Sequence, residues 1–170
     1  MWTTDAANAA DRADARGQHG GMRTPSYQDA QAHPLVSQVL IEERVRALIG
    51  RASRRQLWFL FLDEHQVQLP LLIPLDDYPS SPDGTVHDLA RAMGQAMEAA
   101  EAASVVVVME RYAASALAPA DVAWAKAIHD AFHLEGVPVR GMLLSHNRGV
   151  RWVAQDDYRF AQAATDAATE

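Results

Sequence analysis

The chain has 170 residues, 15 basic and 22 acidic side chains, a formal net charge of -7 and no cysteine. That length suits one domain with tails, and the missing cysteine excludes a disulfide framework, a thiolate zinc site and a cysteine nucleophile. The acidic balance argues against a general nucleic-acid binder, which needs a basic footprint, and no apolar run approaches the ~20 residues that span a bilayer.

The N-terminus shows no apolar stretch of a secretion signal, so a cytoplasmic protein is the expectation. The hydrophobic fraction of 49% overstates the core, because 32 of the residues are alanine, which buries little area. Bulky apolar residues concentrate between Leu35 and Val153. Residues 1–33 are rich in Ala, Asp, Arg, Gly and Gln, with Trp2, Met22 and Tyr27 isolated. Such a segment cannot offset its ordering entropy by burial, and disorder is expected there.

A helix is predicted next. Leu35, Val39, Ile41, Val45, Leu48 and Ile49 recur near helical spacing, Pro34 suits its first turn and Gly50 its end. Residues 55–63 (RQLWFLFLD) form a dense apolar and aromatic run, the pattern of a buried strand. Residues 63–66 are a turn candidate and 67–75 a second strand, completing a hairpin. Pro70 has no N–H to give to a ladder, which points to an edge strand or a bulge. Residues 76–84 (DDYPSSPDG) read as a loop.

Residues 85–103 carry a helical pattern, with Thr85 and Asp88 resembling a capping box. Residues 104–109 (SVVVVM) form a continuous β-branched run, the mark of a strand buried on both faces. After an irregular stretch, Pro119 opens a helix through Leu134 that Gly136 stops. A second hairpin follows, with strands at 139–144 and 150–153 around a turn at 145–149. The expected organisation is one α/β (α+β) domain over 34–157, a mixed β-sheet with flanking helices in the order helix, hairpin, helix, strand, helix, hairpin, and a flexible tail over 158–170.

That order, with LWFLFLD, SVVVVM, LEGVPV and RGMLLSHNRGVRWV in sequence between Arg55 and Val153, resembles the JAMM (JAB/MPN) metalloprotease superfamily, in particular its RadC branch. The resemblance implies a motif of His-x-His, seven residues, then Ser-x-x-Asp, preceded by a distant Glu. In that family the two His and the Asp bind zinc, the Glu acts as general base, and the Ser helps hold the oxyanion. Anchored on Asp121, the motif places the Ser position at Ala118, the second His at Glu110 and the first at Val108. Only Asp121 matches. Val108 offers no ligand, and the strand QVQLPLLIPL has no carboxylate to serve as the base. Catalytic zinc needs about three protein ligands and an open position, and without it nothing activates the attacking water. The resemblance therefore implies a degenerate member with no cofactor and an inactive ancestral site.

Glu110, Arg111 and Asp121, with His146, remain as a candidate polar pocket at the strand ends where open α/β sheets place their sites. One reading is a site for a small anion or a partner. The other, which the residue types favour, is a structural network in which Arg111 bridges the two carboxylates. His129 and His133 stand at i and i+4 on a helix, as in His-Glu-x-x-His zinc sites. Helical projection puts both on the flank beside Lys126, whose ammonium opposes a cation, so a solvated helix face is the expectation. Ser145 and His146 adjoin in a tight turn, which rarely forms a nucleophile–base pair. Arg44, Arg46, Arg51, Arg54 and Arg55 are the one basic concentration.

Three functional readings follow. The first is a non-catalytic RadC/JAMM-like domain that binds a protein partner or a second copy of itself, as a scaffold. The second is a metal- or water-dependent hydrolase with a rearranged site around Glu110 and Asp121. The third is a nucleic-acid-associated protein using the arginines from Arg44 to Arg55.

Overall fold

The computed structural model describes residues 33–159. The order of elements is α1 (Gln38–Leu48), β1 (Gln56–Leu62), β2 (Gln68–Asp76), α2 (Thr85–Ala99), β3 (Ser104–Glu110), α3 (Pro119–Leu134), β4 (Val139–His146), β5 (Gly149–Val153) and α4 (Gln155–Arg159). The five strands form one mixed sheet in the order β2-β1-β3-β4-β5. Only the β3–β4 pair is parallel, joined through the α3 crossover. The expected α/β class is the one observed, and the expected order of elements holds through β5, with α4 as an addition.

The strand positions follow from composition. All seven residues of β3 are buried, because its β-branched run has a neighbour on each side and helices on each face. Alternate residues divide two cores. Val105, Val107 and Met109 pack with Met93 of α2, with Trp124, Ile128 and Phe132 of α3, and with Tyr158 of α4. Val106 and Val108 pack instead with Ile41 and Val45 of α1. Pro70 and Pro74 lie in β2, at one sheet edge, where a missing N–H costs least. Pro70 also falls within the register shift between Leu60 and Leu62, so both expectations for it hold.

Several boundaries differ from the expected ones, for local reasons. Helix α1 starts at Gln38 rather than at Pro34, because the Leu35 N–H donates to Gln66 O (2.8 Å) and holds the chain outside the helix. The cap is Ser37, whose hydroxyl oxygen accepts from Leu40 N–H. The Thr85–Asp88 capping box does not form. Asp83 accepts from Thr85 N–H and Oγ instead (3.0 and 2.5 Å), and Asp88 pairs with Arg91. Helix α2 ends at Ala99, four residues before the expected end. Helix α3 has the expected bounds, and Gly136 takes φ +70 just past its end, a conformation that favours a residue without Cβ. In the second hairpin the ladder runs to His146 and Gly149, leaving only Asn147 and Arg148 in the turn.

Tyr158, assigned by the sequence to the flexible tail, is buried in the α3 core. The packed domain therefore continues past Asp157. The disorder expected over 1–33 and the rest of the tail fall, apart from His33 and Arg159, outside the described residues.

Candidate functional site

Glu110 closes β3. Its position continues the parity of Val106 and Val108, so its carboxylate turns to the α1 face of the sheet. There it is 2% exposed and ringed by donors. Oε1 accepts from Ser53 N–H (2.8 Å), Ser53 Oγ (3.4 Å) and Arg54 N–H (3.4 Å). Oε2 accepts from Gln56 Nε2 (2.5 Å) and the Trp58 indole N–H (2.8 Å). Gln56 is the direct cross-strand partner of Glu110, and Trp58 pairs with Val108 on the same face. Burial alone would raise this carboxyl. The bonds from Ser53, Trp58, Gln56 and Arg54 outweigh that and hold it below the usual range.

Arg111 and Asp121 belong to the opposite face. The Arg111 Nε–H is shared between Oδ1 and Oδ2 of Asp121 (2.9 and 2.7 Å). Nη1 and Nη2 donate to Ala114 O and Ala116 O (3.0 and 2.5 Å). Asp121 Oδ2 also accepts from Ala118 N–H (2.7 Å), capping α3 from within. From the other side Arg151 donates to Ser115 O (3.2 Å) and pairs with Asp157 (3.2 Å). Two guanidinium groups thus hold three successive carbonyls of the loop at 111–118.

The structure divides the candidate pocket. The expectation that Arg111 bridges both carboxylates is corrected: Arg111 holds Asp121 alone, and Glu110 is satisfied by the segment 53–58 across the sheet. The reason is parity, since consecutive strand residues point to opposite faces. His146 shares parity with Met142 and Leu144, placing it on the Asp121 face. Its Nδ1 accepts from Arg148 N–H (3.3 Å). Burial, followed by the Arg111 guanidinium, lowers its pKa. Ser145 faces the other way and donates to Gly50 O (2.8 Å), so Ser145 and His146 form no nucleophile–base pair.

The three positions implied for metal ligation are spread likewise. Val108 is fully buried among apolar side chains, and Glu110 and Asp121 are separated by the sheet. No three His, Asp or Glu side chains among the described residues form a set that could hold a metal ion. His129 and His133 do meet, with parallel rings 6.4 Å apart. His133 is exposed, while His129 is partly buried and tilted against Tyr158 at 5.5 Å. The expectation of a wholly solvated face is thus corrected for His129, because α4 folds over it. Burial, followed by the nearby Arg159, lowers the His129 pKa. Lys126 is tied to Asp130 (2.5 Å).

Of the arginines from Arg44 to Arg55, Arg44, Arg46 and Arg55 are engaged within the fold, and Arg51 and Arg54 are exposed. Arg44 is buried and donates to Gln68 (3.3 Å), and Arg46 pairs with Glu42 (2.6 Å). Arg55 lies 4.0 Å over the Tyr78 ring and donates to Tyr78 O and Pro79 O. Sequence reasoning missed Ser53, Gln56 and Trp58 as the seat of Glu110. The available signal was two polar-tipped residues at i and i+2 in an otherwise apolar strand. No protein-family model matches the chain, and no curated protein matches it in sequence. No described helix is long and apolar enough to cross a membrane.

Proposed function

We propose that this chain is a non-catalytic, cytoplasmic binding module, a degenerate relative of the RadC/JAMM fold that acts as a scaffold for a protein partner or a second copy of itself. The observation that carries this reading is the fate of the two carboxylates at the implied metal motif. Each is committed to hydrogen-bond donors of the protein itself. Glu110 fastens residues 53–58, and Asp121 fastens the α3 start and Arg111. A hydrolytic site needs such groups convergent on one reacting atom, with lone pairs free. The order of elements supports the family resemblance, and Ala118, with no hydroxyl, occupies the Ser position. The start of α1 supports a binding role, since Val36, just before the helix, and Val39, in its first turn, are 64% and 65% exposed, beside Leu40.

The test is the zinc content of the untagged full chain purified from zinc-supplemented medium. Zinc far below one per chain is expected. About one zinc per chain, lost in Asp121→Ala, would overturn the reading. The binding role is checked by sedimentation velocity with and without Val39→Asp. This exposed substitution is expected to leave Tm unchanged and to abolish association.

A further inference from the structure

The strand β4 outruns its neighbour. The last β4–β5 pair is Met142 with Val153, so residues 139–141 extend past the end of β5. Their other side is occupied, with Val139 paired to Val105 and Gly141 to Val106. This leaves one short strand edge that no described strand covers. The edge opens into a groove of about 470 Å³, walled by His129, His133 and Tyr158 on one side and by Gln38, Arg140 and Trp152 on the other. The Trp152 ring packs against Gly141, where a Cβ would meet it at 2.4 Å. The groove lining contains no carboxylate, in a chain whose net charge is -7.

Two features point to the occupant. The first is where the chain enters. Arg140, in the groove wall, donates to Val36 O (3.3 Å) and to Gln66 Oε1 (2.8 Å), and Gln38 is itself part of the wall. Val36 and Gln38 thus stand beside the groove, and 32 residues of sequence precede His33. The second is charge and shape. Tyr27 and Asp29 stand two apart, so in an extended chain they share one face. An aromatic ring and a carboxylate on one face complement a wall of imidazoles, indole and guanidinium. From Leu35 back to Asp29 the chain reaches up to about 20 Å when extended.

We propose that residues 25–32 of this same chain dock in the groove as an extended segment beside residues 139–141. Backbone pairing to an open strand edge supplies the affinity, and the side chains at alternate positions supply the fit. This inference is independent of the reading of Glu110 and Asp121. It gives the protein an internal occupant for a strand-addition site, one that a partner's peptide would have to displace.

The absence of native cysteine makes the test clean. A nitroxide is placed on Gln28→Cys in the full isotope-labelled chain, and amide spectra are recorded. The expected result is loss of the Val139 and Gly141 amide signals and of the Trp152 indole signal, recovered on reducing the label. Tyr27→Ala with Asp29→Arg should restore those signals in the labelled chain. Unchanged signals with the label at position 28 overturn the proposal. Loss only when the label sits on Ala164→Cys assigns the groove to the C-terminal segment and overturns it equally. The same loss on mixing nitroxide-bearing chain that lacks isotope with isotope-labelled chain that lacks nitroxide assigns the groove to a second copy, with the same consequence.

Discussion

Glu110 and Asp121 are each 2% exposed, yet the first is held by neutral donors and the second by a guanidinium. The Glu110 side is a latch of backbone N–H, hydroxyl, amide and indole groups that ties the segment 53–58 to the end of β3. On the other face, Arg111 spends one N–H on Asp121 and two on loop carbonyls, so it couples α3 to the loop before it. Two routes to burying a carboxylate therefore sit within a few residues of sequence, on opposite faces of one sheet. The difference is instructive because a buried charge needs hydrogen bonds more than it needs an opposite charge. It also means that each carboxylate is disturbed by a different change.

The largest expected effect is from Glu110→Ala. Removing the acceptor leaves the Gln56 amide, the Trp58 indole N–H and the Ser53 N–H without a partner, at about 3 kcal/mol in all, on the order of 10 °C in Tm. Glu110→Gln keeps one acceptor oxygen and is expected to lose less. A Tm within a degree of the parent for Glu110→Ala would show that the latch contributes nothing.

Arg111→Ala comes next, at about 2 kcal/mol, because Asp121 keeps only the Ala118 N–H. Amide exchange should quicken across residues 112–118 in this variant and not in Glu110→Ala. The two sites share no hydrogen-bond partner, so the double variant is expected to lose the sum of the two effects within ~0.5 kcal/mol. A clear departure from the sum would make them one network after all.

Acidification separates the faces further. Folding holds His146 below its ordinary value of 6.5, with burial the leading cause and Arg111 the next. The folded chain therefore binds fewer protons than the unfolded one near that pH. This contribution is fully present above 6.5 and is lost as pH falls through the folded value. Glu110 is held below 4.5 in the folded chain, so its contribution is present above 4.5 and is lost only in stronger acid. Thermal melts across pH should lose stability in two stages, the upper one weakened in His146→Gln and the lower one in Glu110→Gln. An upper stage unchanged by His146→Gln would remove His146 from the account. The smallest effect belongs to the exposed pair Arg46–Glu42, where Arg46→Ala should change stability by under about 0.5 kcal/mol.

The amino-acid order by itself determined the elements. The run SVVVVM dictated a strand buried on both faces, because β-branched side chains with no polar alternation leave no face for water. Pro70 marked an edge, and Pro119 with Gly136 bounded α3, because each acts through its own backbone. It also showed that Val108 and Ala118 carry no ligand or hydroxyl, a matter of side-chain chemistry alone. Tertiary structure decided which groups meet. Glu110 and Arg111 are adjacent in the chain and end on opposite faces, because successive side chains along an extended backbone point to opposite sides. The seat of Glu110 lies more than fifty residues upstream, and only the β1–β3 pairing brings it there. The groove beside β4 depends on where β5 stops and on α4 folding back over His129, and a linear pattern carries neither long-range fact.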